Sequence, residues 1–308
     1  MNVAIVGSGA VGGYYGALLA RAGHDVTFVA RGAHLKAIRE HGLRVRSPLG
    51  DFTARGAATD DAASIGRVAL AIVAVKTYDN GAAMPLLAPL VAPGGQVLTL
   101  QNGVDSADEA AAVVGQGPVL AGAAYIATAV DEPGVIVQTG THRRIVFGEA
   151  FGPSDRVSTR VDRLRGTLIE AGVDAETVAD GRTAVWTKLA YLAPFAGFTG
   201  ASRLPIGGVW GPAAEEPFYS ACREVASVAS SEGVTVGEEA LEAIRSYMAA
   251  LPPATRSSLL IDLSAGRRIE VEALHGAVVR RASRHGVPVP IIATLYALLR
   301  PYADGPPR

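Results

Sequence analysis

The first half of the chain alternates short apolar runs with amphipathic stretches, and this alternation predicts strands joined by helices. Helices are expected over about residues 11–22 and 33–41, after the first and second strands. The predicted strands are "NVAIV" (2–6), "DVTFVA" (25–30), "VALAIVAV" (68–75) and "QVLTL" (96–100). The third is continuously apolar, as a strand buried on both faces should be. This order predicts an α/β domain with a doubly wound, mostly parallel, Rossmann-type sheet.

The pattern changes twice further along the chain. The runs "LRVRS" and "DFTARG" flank "PLG" and predict a hairpin, and residues 117–149 continue as strands without long helices between them, which predicts antiparallel or mixed pairing. After about residue 180 helical periodicity dominates, with prolines between segments. The predicted helices are 182–196, 213–232, 237–250, 254–283 and 290–300. We therefore expect domains at 1–180 and 181–308, the second all-helical.

Composition excludes several classes of protein. Of the 308 residues 49% are hydrophobic and 19% are charged, which supplies ample material for buried cores. The net charge of −1 gives no electrostatic footprint for nucleic acid or an anionic membrane. No signal peptide or membrane-spanning run is evident, and we expect a cytoplasmic protein. The single cysteine, Cys222, cannot form an internal disulfide or a multi-cysteine metal site, and no metal is predicted.

A glycine-rich turn follows the first strand. Gly7, Gly9 and Gly12 have the G-x-G-x-x-G spacing between a strand and a helix, which is the context of a dinucleotide pyrophosphate site. Gly7 would form the tight turn, Gly9 would admit the pyrophosphate to the backbone, and Gly12 would let helix and strand pack closely. The alternative is a glycine-rich turn without a ligand. The predicted cofactor-binding residues of this turn are Gly7, Ser8, Gly9, Ala10, Val11 and Gly12.

The charge after the second strand indicates which dinucleotide is bound. A site for NAD usually places an acidic residue there to hold the ribose 2′-hydroxyl, whereas this chain has Ala30 and Arg31. A guanidinium favours a 2′-phosphate and therefore NADP(H). Lys76 follows the buried strand and is a candidate second phosphate contact. Ordinary solvated charge at strand ends is the competing interpretation for each residue alone.

Three polar side chains in apolar or turn contexts are candidates for chemistry. Lys188 has aliphatic and aromatic residues on its helical face, so desolvation should lower its pKa toward neutrality and make it a usable general acid. These residues are Ala184, Tyr191, Leu192 and Phe195. Periodicity alone favours a lysine that extends its ammonium into water. Glu270 lies on a predicted apolar helix face, where the alternative is a surface Arg–Glu network. Asn102, after the fourth strand, is either near a nicotinamide or a turn residue.

Six segments, spread over essentially the whole chain, carry a resemblance to a known family: "VAIVGSGAVGGYYGALLARAGHDVTFVAR", "VAVKTYD", "QNGV", "WTKLAY", "SSLLIDLSAGRRIEVEALHGAVVRRASRHGVPVP" and "TLYALL". Together they resemble the ketopantoate reductase (2-dehydropantoate 2-reductase) family. The resemblance implies NADPH-dependent hydride transfer to the C2 carbonyl of a small-molecule 2-oxo acid, by an N-terminal Rossmann-type domain and a C-terminal helical domain. The helical domain is a candidate homodimer surface, although no heptad seam specifies one.

The resemblance also implies roles at matching positions. Lys188 matches the catalytic proton donor, Glu270 the glutamate that hydrogen-bonds the substrate hydroxyl, and Ser258 a substrate-contacting serine. Asn102 matches an asparagine near substrate and nicotinamide. Arg31 and Lys76 match the 2′-phosphate ligands.

The chain departs from the family pattern K-L-x-x-N-x-x-x-N, whose asparagines contact substrate. Leu192 and Ala196 stand at those positions, and Pro194 between them should kink or end the helix. Loss of these contacts predicts weaker ketopantoate binding, or a less polar 2-oxo acid as the substrate. It also motivates an alternative function as a non-catalytic NADP(H)-binding redox sensor or partner-binding protein.

Overall fold

A computed structural model describes residues 1–152 and 155–307 of the chain. It divides into two compact units. The first comprises Met1–Gln101 and Ser106–Ala184, and the second comprises Asn102–Asp105 and Val185–Arg308. The segment Asn102–Asp105, called here the Asn102 loop, therefore belongs with the helical part of the chain although it follows a strand of the first unit in sequence.

The described residues of the first unit form a ten-stranded mixed sheet. The strands are β1 Asn2–Val6, β2 Asp25–Val29, β3 Leu43–Arg46, β4 Phe52–Ala54, β5 Ala57–Thr59, β6 Val68–Val73, β7 Val91–Thr99, β8 Val119–Glu132, β9 Val135–Glu149 and β10 Asp174–Asp180. Their order is β4-β3-β9-β8-β7-β6-β1-β2-β5, with β10 paired to β9.

Six strands, in the order β5-β2-β1-β6-β7-β8, are parallel to one another and have the Rossmann-type order. The chain moves from β1 outward to β2 and β5, and then returns to the other side of β1 to form β6, β7 and β8. The direction of winding thus reverses between β1 and β6, which is where ligands bind in such sheets. The predicted doubly wound sheet is confirmed.

The predicted mixed end of the sheet is also confirmed. β8 and β9 pair antiparallel over most of their length, and β3 and β4 form the expected hairpin. Sequence analysis did not predict β10, which pairs parallel with β9. Its sequence "DAETVAD" carries two aspartates and a glutamate and lacks a continuous apolar run, so its pairing depends on contacts distant in sequence.

Helices of the first unit cover the apolar side chains of the sheet. The buried face of α1 places Tyr14 and Tyr15 in a core with Ile5 and Phe28. The α1 glycines permit this packing, since a Cβ on Gly16 would lie 2.7 Å from Ile5. The helices are α1 Ala10–Arg21, α2 Gly32–His41, α3 Asn80–Ala83, α4 Leu87–Leu90, α5 Ser106–Val114 and α6 Thr159–Glu170.

The described residues of the second unit form helices joined by loops, with no strand among them. Its core gathers apolar residues from several helices, including Trp186, Phe218 and Leu274. No described helix has the length and hydropathy needed to cross a membrane. The helices are α7 Gly181–Ser202, α8 Ile206–Val209, α9 Pro212–Ser231, α10 Glu238–Ala250, α11 Ser258–Ser264, α12 Ala277–His285 and α13 Pro290–Leu299, with a π-helical turn at Glu272–Gly276.

The sequence predicts that Pro194 kinks or ends its helix, but α7 does not end there. It continues to Ser202, although proline supplies no N–H to the carbonyl four residues earlier. His275 Nε2 hydrogen-bonds the neighbouring carbonyl of Ala193 at 2.8 Å, and Thr199 Oγ1 hydrogen-bonds the Phe195 carbonyl at 2.6 Å. Side chains therefore hydrogen-bond α7 carbonyls on both sides of the proline.

The continuous helix predicted over 254–283 is wrong. α11 ends in a Schellman motif at Gly266, whose φ of +65° favours glycine. The Gly266 N–H donates to Leu263, and the Arg267 N–H donates to Asp262. The chain then has no regular secondary structure through Glu270 before helical structure resumes. Glu270 is therefore buried just before a helix rather than on a helix face.

Candidate active site

The glycine turn has the geometry that a pyrophosphate site requires. Gly7 has φ +97°, and a Cβ there would lie 2.5 Å from Val75 Cγ1. A Cβ on Gly12 would lie 2.2 Å from the Gly7 carbonyl oxygen. Gly9 is the N-cap residue of α1, and a Cβ there would have no heavy atom within 4 Å. Gly7 and Gly12 thus permit close packing, while Gly9 leaves open space beside a helix N-terminus suited to an anionic phosphate.

A histidine that sequence analysis missed supports this turn. His34, in the first turn of α2, approaches the Ser8 carbonyl with Nε2 at 2.8 Å and receives the Gly134 N–H on Nδ1 at 3.0 Å. Since Nδ1 accepts a hydrogen bond, Nε2 carries the proton and donates to Ser8. Ser8 itself is 2% exposed and donates to the Ile5 carbonyl. His34 had no signal in the sequence because Gly134 lies a hundred positions away.

Arg31 and Lys76 occupy the expected ends of two strands. Arg31 follows β2 and is the N-cap residue of α2, with its side chain exposed. Lys76 follows β6 and is half-buried. β2 and β6 each pair in parallel with β1, on its two sides. Arg31 and Lys76 therefore lie at the same edge of the sheet as the glycine turn, which follows β1. These residues are suited to hold the phosphates of a dinucleotide.

Lys188 is surrounded by the apolar residues predicted from its helical face. Ala184, Leu192 and Phe195 are buried, and only a small part of the lysine itself is exposed. Burial lowers the pKa of Lys188 from 10.5 to about 8, an effect that the negative charge of Glu270 opposes. Desolvation dominates because the apolar neighbours cannot replace the hydration of the ammonium. The expected shift toward neutrality is therefore confirmed.

Asn102 links Lys188 to Glu270 within the second unit. Lys188 Nζ donates to Asn102 Oδ1 at 2.9 Å, and Asn102 Nδ2 donates to Glu270 Oε2 at 3.3 Å. This orientation of the carboxamide satisfies both neighbours, since the ammonium only donates and a carboxylate only accepts. Three residues separated by up to 168 positions thus form one hydrogen-bonded chain, called here the Lys188–Asn102–Glu270 cluster.

The other predicted substrate residues lie elsewhere around α7 and α11. Leu192 and Ala196 are 8% and 0% exposed and belong to the core of the helical unit. Ser257, rather than Ser258, caps α11, accepting the Leu260 N–H at 3.1 Å. Ser258 is exposed, and the described structure records no hydrogen bond from it to the Lys188–Asn102–Glu270 cluster.

Other nucleophilic or metal chemistry has no comparable arrangement among residues 1–152 and 155–307. Burial raises the pKa of Cys222 to about 12, so its thiolate is inaccessible at neutral pH. No group of three or more histidine, cysteine, aspartate or glutamate side chains in those ranges is placed to hold a metal ion.

Comparison with known proteins identifies the family. The family model described as "Ketopantoate reductase PanE/ApbA" matches residues 3–152, and its C-terminal counterpart matches residues 180–303. A 2-dehydropantoate 2-reductase of Halobacterium salinarum is 34% identical over 97% of this chain and 98% of its own length.

Solved structures agree with this assignment. A PanE/ApbA family ketopantoate reductase from Ralstonia eutropha is 34% identical, covers 97% of both chains and has a TM-score of 0.86. A 2-dehydropantoate 2-reductase from Geobacter metallireducens is 32% identical, covers 97% of this chain and 99% of its own, and has a TM-score of 0.90. With its glycine turn, mixed sheet and helical second unit, the chain belongs to the ketopantoate reductase family.

Proposed function

We propose that this protein is an NADPH-dependent reductase of the C2 carbonyl of 2-oxo acids, converting ketopantoate to pantoate or reducing a related, less polar 2-oxo acid. The observation that carries the proposal is the Lys188–Asn102–Glu270 cluster, in which burial brings the pKa of a lysine to about 8. A proton donor with a pKa near the working pH is what carbonyl reduction requires. The family relationship supports the same reaction.

The glycine turn and the two basic residues fit a bound NADP(H). The open space at Gly9 beside the α1 N-terminus suits the pyrophosphate, and Arg31 and Lys76 supply cations for the 2′-phosphate. When bound, the nicotinamide supplies the hydride.

Lys188 acts as the general acid of the reduction. At neutral pH a lysine with a pKa of about 8 is mostly protonated yet loses its proton more readily than an exposed lysine. Its ammonium donates to the carbonyl oxygen as negative charge develops there. Asn102 holds the ammonium on one side, and Glu270 accepts a hydrogen bond from the hydroxyl that forms, because a carboxylate accepts and does not donate.

The substrate is ketopantoate or a related 2-oxo acid with a less polar side chain. Leu192, one turn beyond Lys188, offers no hydrogen-bonding group to a substrate hydroxyl, and Ala196, one turn further, is fully buried in the helical core. Asn102 and Ser258 supply the remaining polar contacts with the substrate. A buried thiol and a nicotinamide-dependent reaction both fit a cytoplasmic location.

The test is oxidation of NADPH with ketopantoate and a panel of branched 2-oxo acids. We expect turnover with NADPH, and a higher kcat/KM for at least one apolar substrate than for ketopantoate. Lys188→Ala should lower kcat at least a hundredfold, as loss of a general acid does, with little change in the Kd for NADPH. Tight NADPH binding without turnover of any 2-oxo acid would contradict the proposal and indicate a sensor, and turnover with NADH alone would contradict the cofactor assignment.

A further inference from the structure

The Asn102 loop depends on the helical unit for its position. Gly103 has φ +84°, and a Cβ there would lie 2.6 Å from the Ala273 carbonyl oxygen, so the loop backbone approaches that segment closely. Val104 packs against the helical core. Asp105 ends the loop with an ion pair to Arg281 of α12. The carboxamide of Asn102 is thus carried on a short segment anchored three residues later.

Arg281 is an arginine buried beside the Asn102 loop. It is 6% exposed, and a buried guanidinium is costly unless it is paired and hydrogen-bonded. Besides Asp105, its Nε lies 3.5 Å from Glu232 Oε2. Its guanidinium carbon lies 5.9 Å from the centre of the Trp186 ring, two residues before Lys188 on α7. Arg281 therefore contacts both the loop that carries Asn102 and the helix that carries Lys188.

We infer that Arg281 and Asp105 are positioning residues of the reductase site, whose ion pair fixes the Asn102 carboxamide between Lys188 and Glu270. This inference rests on the proposed function. Lys188 lies on α7 and Glu270 lies just before the π-helical turn. Asn102 reaches both of them only while its loop stays against α12. A loop displaced by an ångström would break hydrogen bonds of 2.9 and 3.3 Å and leave the ammonium misdirected.

The neighbouring charges allow the ion pair to be removed without stranding its partners. In Arg281→Met, Asp105 keeps a 3.5 Å contact with Arg280, whose side chain is 51% exposed, so its charge is still compensated but the solvent-screened pair holds the loop more weakly. Glu232 retains His285 at 2.8 Å. In Asp105→Asn, Arg281 retains Glu232. Both variants should therefore fold, and the second alters only a partly exposed side chain.

The kinetic experiment asks whether Arg281 acts through Asn102. We expect Arg281→Met and Asp105→Asn each to lower kcat about tenfold or more, with the Kd for NADPH unchanged. In an Asn102→Ala background the same substitutions should have little further effect, because the carboxamide they position is already absent. Arg284→Met, which removes an exposed arginine from the same helix, is the control and should leave kcat unchanged. A full, multiplicative loss in the Asn102→Ala background would overturn the inference, as would an unchanged kcat in both single variants.

A second readout does not need turnover. Hydrogen–deuterium exchange of the peptide that covers residues 102–105 should accelerate at least tenfold in Arg281→Met and remain at the wild-type rate in Arg284→Met. Unchanged exchange in Arg281→Met would refute the anchoring of the loop. If the wild-type protein reduced no 2-oxo acid while exchange accelerated as expected, the proposed function would fail and the anchoring of Asn102 would stand.

Discussion

Replacing Glu270 with glutamine should move the pH dependence of reduction in a definite direction. Lys188 must be protonated to donate, so kcat is retained below its pKa and falls above it, tenfold per pH unit. Burial sets that pKa at about 8, and the negative charge of Glu270 raises it from the lower value that burial alone would give. Glu270→Gln removes the charge but keeps the size, so the decline should begin at lower pH.

The size of the shift follows from the geometry of the Lys188–Asn102–Glu270 cluster. Two hydrogen bonds and one carboxamide separate ammonium from carboxylate, a span of about 7 Å. At an effective dielectric constant of about 20, unit charges at that distance interact by roughly 2 kcal/mol. That energy corresponds to roughly one and a half pH units. We therefore expect the decline of kcat to begin between about pH 6 and 7 in the variant.

The assay is steady-state NADPH oxidation at saturating 2-oxo acid across pH 5.5–9.5, fitted for the pKa that limits kcat. Glu272→Gln is the matched control, since this carboxylate is 48% exposed and pairs with Arg280. The control should retain the wild-type profile. An unshifted decline in Glu270→Gln, or one moved to higher pH, would show that Glu270 does not act electrostatically on the proton donor.

Three further predictions concern the cofactor site and the helical core. In Gly12→Ala the new Cβ would lie 2.2 Å from a carbonyl oxygen, so the substitution should abolish NADPH binding and lower the free energy of unfolding, measured by urea denaturation, by about 2 kcal/mol or more. Gly81→Ala is the control: a Cβ there meets open space, so both NADPH binding and the free energy of unfolding should be retained. Arg31→Ala should raise the Kd for NADPH about ten- to a hundredfold, since a charged hydrogen bond to phosphate contributes roughly 1.5–3 kcal/mol. The Kd for NADH should be unchanged. An equal rise in both Kd values would contradict the assignment of Arg31 to the 2′-phosphate. Burial lowers the pKa of His275 from 6.5 to about 4, so the unfolded chain binds the extra proton between those values and stability is lost as pH falls from 6.5 to 4. By pH 5 this loss should approach about 2 kcal/mol, and it should be absent in His275→Gln.

The sequence predicted those parts of the fold and site that depend on local patterns. Apolar runs identified β1, β2, β6 and the core of β7, and the position of the glycines gave the turn geometry found at Gly7 and Gly12. The neighbours of Lys188 were correctly placed because helical periodicity holds through that part of α7.

What the sequence did not predict depends on contacts between distant residues. Gly266 was a local stop signal that was overlooked within an otherwise helical pattern, and Glu270 was consequently assigned to a helix. The continuation of α7 past Pro194 is accompanied by a hydrogen bond between the Ala193 carbonyl and His275, which are 82 positions apart. The pairing of Asp105 with Arg281 spans 176 positions and has no signature in either local sequence.

The central claim is that this protein transfers hydride to C2 of a 2-oxo acid while Lys188 supplies the proton. The most direct measurement is a reaction with NADPH carrying deuterium at both positions of nicotinamide C4, followed by NMR of the product. We predict a 2-hydroxy acid with deuterium at C2 from the wild-type protein, and at least a hundredfold less of it from Lys188→Ala under identical conditions. A product without deuterium at C2, or equal amounts from both proteins, would contradict the account.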